Sequence, residues 1–176
     1  MNEAECVIRQ AVEGDLEAIN RIYNLEIETG LATWDLEPWT LDERRTWFAG
    51  HDALTPILVA EVAGEIAGFA YVTLMSAKKG WRFTREDTIY IDERFRGRRL
   101  GEKLLAALLD VCRALGVRLV VASITSTNEA SLRLHVKFGF TPVGEMKNAG
   151  HKFGAWHSTT YMQVDLGEPA PDRSTW

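Results

Sequence analysis

The chain has 176 residues, 46% of them hydrophobic and 26% charged, which is the make-up of one globular domain with a real core. That balance excludes disordered, collagen-like and repeat architectures. Lys and Arg number 20 against 25 Asp and Glu, a formal charge of -5, so general nucleic-acid binding is excluded and any anion binding must be local.

Two cysteines, Cys6 and Cys112, lie far apart without a Cys-x-x-Cys or a nearby histidine, so neither a disulfide framework nor a metal site is expected. His151 and His157 are six apart, which is not the spacing of a helical metal pair. The amino terminus is acidic, and no apolar run approaches the ~18 residues of a membrane span. The expectation is a cytoplasmic protein with no membrane or nucleic-acid partner.

Cys6 to Ala11 alternates and predicts a strand, followed by a helix on which Leu16, Ile19, Tyr23 and Ile27 share one face. Thr40-Leu41-Asp42-Glu43 has the form of a capping box and starts a short helix with Trp47 and Phe48 on its inner face. Ile57–Val62 and Ile66–Val72, around Gly64, predict an antiparallel hairpin. Thr88–Ile91 is a further strand, followed by an arginine-rich loop and a helix carrying Leu104, Leu105, Leu108, Cys112 and Leu115 up to Gly116. Leu119–Ile124 predicts a buried strand and Asn128 to Phe138 a helix. Strands near Phe140–Met146 and Thr159–Leu166 close a domain over 1–166, leaving 167–176 as a loose tail. Trp34, Trp39, Trp47, Trp81 and Trp156 read as core or rim packing, because no basic surface accompanies them.

The stretch Arg96-Gly97-Arg98-Arg99-Leu100-Gly101-Glu102-Lys103 joins a strand to a helix start, where backbone N–H groups are unpaired and the helix dipole is positive. Such a place binds phosphate, with glycines admitting the anion and Arg96, Arg98 and Arg99 supplying charge. A solvated basic loop before an ordinary helix is the alternative. A dinucleotide fingerprint cannot be written here.

In its setting this stretch resembles the coenzyme A motif of the GNAT acetyltransferase superfamily, Arg/Gln-x-x-Gly-x-Gly/Ala. Arg96, Leu100 and Gly101 match, while Arg99 stands where the family usually has its first glycine. Asn128-Glu129-Ala130-Ser131 followed by Leu134-His135-Val136-Lys137-Phe138-Gly139-Phe140 resembles the second half of that signature. Ile22-Tyr23-Asn24, Glu86-Asp87-Thr88-Ile89-Tyr90-Ile91 and Ala149-Gly150-His151-Lys152-Phe153-Gly154-Ala155-Trp156-His157 resemble the phosphinothricin and methionine-sulfoximine N-acetyltransferase branch, over about Ile8 to Leu166. The resemblance implies an α/β GNAT domain: a mixed, mostly antiparallel sheet splayed at its centre, flanked by about four helices. It further implies acetyl-CoA as co-substrate, no metal, a small amino acid analogue as amine acceptor and a homodimer.

Transfer to an amine requires its free base, since an α-amino group with a pKa of roughly 8 is mainly cationic at neutral pH. The resemblance assigns that base to Glu86, with Asp87 as fallback, and the acid for the leaving thiolate to His135, with Tyr161 second. Backbone amides near Tyr90 and Ile91 would stabilise the oxyanion. The expected coenzyme A site comprises Ile89, Tyr90, Ile91, Arg96, Gly97, Arg98, Arg99, Leu100, Gly101, Asn128 and Ser131. Lys78 is expected to hold a substrate carboxylate and Trp81 to line the amine pocket beside Glu86. The competing functions are acetylation of a peptide amino terminus and non-catalytic sensing of acyl-CoA.

Overall fold

A computed structural model describes residues 5–168. The elements follow in the order β1 (Cys6–Gln10), α1 (Leu16–Thr29), α2 (Leu41–Ala49), β2 (Ile57–Val62), β3 (Glu65–Leu74), β4 (Thr84–Ile91), α3 (Leu100–Ala114), β5 (Leu119–Thr125), α4 (Glu129–Lys137), β6 (Thr141–Lys152) and β7 (Ala155–Asp165). The strands form one seven-stranded sheet in the order β1-β2-β3-β4-β5-β7-β6. All neighbours in it run antiparallel except β4 and β5.

Strand alternation splits the core in two. Leu58, Ala60, Ala70, Val72, Val120 and Ala122 face α3, whose Leu104, Leu105, Leu108 and Cys112 are buried, and α4 adds Leu132 and Leu134 there. Ile57, Val59, Phe69 and Tyr90 face Leu16, Ile19, Tyr23 and Ile27 of α1 on the other side.

The capping box of α2 forms as its sequence predicts: Glu43 N–H donates to Thr40 Oγ1 at 3.3 Å and Thr40 N–H to Glu43 Oε2 at 2.7 Å. Its buried residue is nevertheless Arg44, 1% exposed, while Trp47 and Phe48 are only half-buried. The Arg44 guanidinium lies 4.5, 4.3 and 4.6 Å from the ring centres of Tyr23, Trp39 and Trp47. Cation–π attraction to these rings makes burial of the charge tolerable, which a hydrophobic pattern that counts arginine as polar does not detect.

Three strand predictions fall short. β4 begins at Thr84, not Thr88, so Glu86 and Asp87 lie inside the strand. The last two strands are longer than predicted and meet at Phe153 and Gly154, both with positive φ (53° and 74°), a two-residue hairpin turn. The predicted tail falls mainly on 169–176, outside the described residues.

The sheet opens between β4 and β5. They pair only from Thr84–Asp87 against Leu119–Ala122; beyond that β4 follows β3 to Ile91, while β5 follows β7 to Thr125. Thr84 accepts from Met75 N–H at 3.5 Å and Asp92 N–H donates to Ala67 at 2.9 Å, so the even-numbered positions of β4 turn their backbone groups toward β3. By alternation, the N–H and C=O groups of Ile89 and Ile91 project into the gap.

Candidate active site

The chain after β4 is fixed by Asp92, which accepts from Arg94 N–H at 3.0 Å and pairs with Arg21 at 2.8 Å and Arg94 at 2.9 Å. Burial opposes its charge, but the hydrogen bonds from Arg94 and Arg21 outweigh it and hold the carboxyl at about 2. Gly97 follows with φ 82°. Arg99, at the usual glycine position, adopts the left-handed conformation itself (φ 57°, ψ 23°) and becomes the N-cap of α3. The loop therefore keeps a glycine-type bend at the cost of strain in an arginine. Lys103 N–H donates to the Arg99 carbonyl at 3.2 Å, which leaves the Leu100, Gly101 and Glu102 amides at the helix start without an intrahelical partner.

These amides face a cleft of about 690 Å³ between α1, the end of β4, α3 and α4. Of the expected coenzyme A site, Ile89, Tyr90, Ile91, Arg96, Gly97, Arg99, Leu100, Gly101, Asn128 and Ser131 line it. Arg98 does not; its guanidinium lies 5.3 Å from the ring centre of Phe95, a residue that itself lines the cleft. Arg96 is 3.6 Å from Glu26 across the cleft wall. Asn128 caps α4 by accepting from Ser131 N–H at 3.1 Å, so its side-chain oxygen is occupied and its amide group is what remains for a ligand. Arg133 and Lys137 of α4 also line the cleft. Their i, i+4 spacing beside a capping asparagine was the available sequence signal for two further cations facing one way.

An inner cavity of about 180 Å³ shares Ile89, Tyr90, Asn128 and Ser131 with this cleft and continues through the opening in the sheet. Glu86 and His135 both line it, as do Asp87 and Thr88. Burial, followed by the charge of Asp87, raises the Glu86 pKa above the ordinary carboxylate value. Among the described residues no hydrogen-bond partner of its carboxylate is seen, the environment of a group that can take a proton.

His135 is buried, with Nδ1 2.7 Å from the Ser131 carbonyl and Nε2 3.0 Å from Asp87 Oδ2. A carbonyl only accepts, so Nδ1 carries the hydrogen, and Nε2 faces the carboxylate. Burial disfavours the charged ring, but the Asp87 hydrogen bond and charge, with the Ser131 carbonyl, outweigh it and raise the His135 pKa. Asp87 Oδ1 is buried without a partner. Both ring nitrogens are thus engaged, and a proton given to a leaving group must come out of the Asp87 hydrogen bond.

The structure places four of the expected groups away from the gap. The Tyr90 amide belongs to the ladder with β3, so the amides open to the gap are those of Ile89 and Ile91. Lys78 and Trp81 are exposed and line neither cavity, because their connection feeds the start of β4 whereas the gap opens beyond Asp87. Tyr161, on β7, pairs with Ser123 of β5 and lines neither cavity. A wall of the inner cavity comes from the α1–α2 connection, through Ala32 and Trp34, which carries no recognisable motif. Among the described residues no group of three or more His, Cys, Asp or Glu is placed to hold a metal ion.

The model of the acetyltransferase (GNAT) family matches residues 19–140, from α1 through both halves of the cleft. The chain belongs to the GNAT acetyltransferase family. Among GNAT relatives it is 38% identical over 167 residues to an L-methionine sulfoximine/L-methionine sulfone acetyltransferase of Salmonella typhimurium, covering 94% of this chain and 98% of that one. It is also 38% identical to the phosphinothricin N-acetyltransferase of Streptomyces viridochromogenes, over 94% and 91% of the two chains. The GNAT phosphinothricin acetyltransferase of Sinorhizobium meliloti, solved in complex with acetyl-CoA, superposes with a TM-score of 0.90 at 33% identity, covering 95% of this chain and 94% of that one.

Proposed function

We propose that this GNAT protein is an acetyl-CoA-dependent N-acetyltransferase acting on the primary amine of a small amino acid or analogue, of the methionine sulfoximine and phosphinothricin class. The observation that carries this reading is that an outer cleft opening on the start of α3 shares Ile89, Tyr90, Asn128 and Ser131 with an inner cavity lined by Glu86, Asp87 and His135, at the gap between β4 and β5. The outer cleft fits a coenzyme: unpaired amides at the start of α3 with Arg96, Arg99, Arg133 and Lys137 suit phosphates, and the open edge at Ile89 and Ile91 suits the amides of a pantetheine arm.

Acetyl-CoA, when bound, supplies an activated thioester. Glu86 takes the proton of the acceptor ammonium, directly or through a water, so that a neutral nitrogen can form the new C–N bond as the C–S bond breaks. The Ile89 and Ile91 N–H groups meet the negative charge developing on the carbonyl oxygen. His135 holds the proton available to the departing sulfur, and since a thiolate with a pKa near ~8.5 leaves readily, its contribution is smaller than that of Glu86.

Release of free thiol from acetyl-CoA, screened across free amino acids, sulfoximines, polyamines and short peptides, tests the reading. Turnover with amino acids and sulfoximines is expected. Preference for peptides would replace it with amino-terminal acetylation, and binding without turnover would make the protein an acyl-CoA sensor.

We also propose a cytoplasmic homodimer. Two free thiols, Cys6 and Cys112, suit a reducing compartment, and among the described residues no helix is long and apolar enough to cross a membrane. The β6–β7 hairpin ends the sheet on an unpaired edge with Val143, Met146, Phe153 and Trp156 exposed, a surface that a second copy would cover. Sedimentation at micromolar concentration checks the oligomeric state.

A further inference from the structure

We infer that Trp34 sets the size of the acceptor's side chain, and that the β6–β7 hairpin segment from Gly150 to His157 serves to hold that indole in place. The inference rests on the function proposed above and extends it to substrate choice.

Trp34 lines the inner cavity together with Ala32, across from the β4 residues that include Glu86. Its indole docks on the cross-strand pair Gly150 and His157. A Cβ built at Gly150 would lie 2.6 Å from two carbons of the six-membered ring, so no other residue fits beneath the indole as it stands. His157 closes the same slot, with ring centres 6.0 Å apart and planes inclined by 35°.

The backbone behind the indole is equally fixed. Three successive carbonyls each accept a hydrogen bond from a side chain on a different strand: Leu31 from Thr125 of β5, Ala32 from Tyr90 of β4 at 3.2 Å, and Thr33 from Lys152 of β6 at 3.0 Å. Lys152 is only 3% exposed, and its ammonium also donates to the Glu26 carbonyl at 3.4 Å. No salt bridge to Lys152 is present among the described residues. Two carbonyls and the face of the Phe153 ring, 5.2 Å away, receive this buried ammonium, a costly way to fasten a loop, and here it fastens the residue preceding Trp34. The backbone leading to Trp34 is therefore tied to three strands, while the indole, 37% exposed, rests on Gly150 and His157.

An indole supported in this way beside a cavity of about 180 Å³ selects by shape. Slender, unbranched or soft side chains can lie along the ring face, whereas aromatic and bulky branched ones meet it. Neither Trp34 nor Lys152 lines the outer cleft, so selection at this wall is separate from coenzyme binding.

The test measures kcat/KM of wild type, Trp34→Ala, Gly150→Ala and Lys152→Met, with acetyl-CoA and a panel of amino acids running from methionine sulfone to phenylalanine and tryptophan. Trp34→Ala should raise the preference for large over small acceptors by about tenfold or more. Gly150→Ala, which displaces the indole, and Lys152→Met, which loosens its loop, should raise KM for small acceptors while leaving KM for acetyl-CoA within about twofold. Trp34→Phe, which keeps a smaller ring and the fold, should give an intermediate preference. Wild type active on the panel with Trp34→Ala and Trp34→Phe unchanged in ranking overturns this inference alone. Wild type inactive on every amino acid overturns the proposed function and this inference with it.

Discussion

Asp87 and His135 meet at 3.0 Å beneath the sheet, both buried, with the far side of the imidazole held by the Ser131 carbonyl at 2.7 Å. Glu86, the residue before Asp87, projects to the other face of the same strand, and the gap between β4 and β5 brings the two carboxylates to one cavity. One carboxylate is spent on an imidazole and the other stays free to accept a proton.

The first consequence is a pH dependence of stability. His135 has a folded pKa above its ordinary value, so its pairing with Asp87 contributes fully below the unfolded value of about 6.5 and is lost as pH rises through the raised one. Asp87→Asn should lower unfolding free energy by about 1–3 kcal/mol near pH 6 and flatten the decline toward alkaline pH. Urea denaturation of both proteins across that range checks it; equal slopes would place the histidine outside the linkage.

Arg99 offers a separation of stability from binding. Its left-handed backbone (φ 57°) carries strain of about 1 kcal/mol that glycine does not, so Arg99→Gly should raise the thermal midpoint. The same change removes a cation from the cleft and should raise KM for acetyl-CoA. Calorimetry and steady-state kinetics on one variant read both effects, which have opposite value to the enzyme.

The neighbouring arginines should differ from one another. Arg96→Ala, inside the cleft, should raise KM for acetyl-CoA several-fold, in line with a solvent-exposed charge worth about 1 kcal/mol or less. Arg98→Ala, whose side chain lies over Phe95 and does not line the cleft, should leave it within about twofold. Titration of both variants with acetyl-CoA by calorimetry discriminates them.

Local chemistry made much of this legible in the sequence. The Thr40–Glu43 capping box, the Asn128 cap, the helical face of Leu104, Leu105, Leu108 and Cys112 and the basic loop before α3 all rest on contacts between residues close in the chain. What escaped depends on pairings across many residues. The early start of β4 follows from its register with β3 and β5, and the fate of the Tyr90 amide follows from the parity of that register. Trp34 becomes a cavity wall only because Gly150 and Lys152, more than a hundred positions away, receive its loop. Lys78 carried the right charge for a carboxylate, but charge alone does not say which end of a strand a loop serves.

The role of Glu86 is tested most directly by the pH–rate profile of Glu86→Gln against wild type, with acetyl-CoA saturating and a small amino acid as acceptor. Glutamine keeps the shape but accepts no proton, so the rate near neutral pH should fall roughly 10²–10⁴-fold with KM for acetyl-CoA hardly changed. In wild type the acid limb should lie above the ordinary carboxylate range, since burial and Asp87 raise the Glu86 pKa and the rate falls as that group is protonated. In the variant this limb should vanish, and alkaline pH should recover part of the rate as free amine accumulates. A variant as fast as wild type at neutral pH, or one equally slow at every pH, would contradict Glu86 as the base.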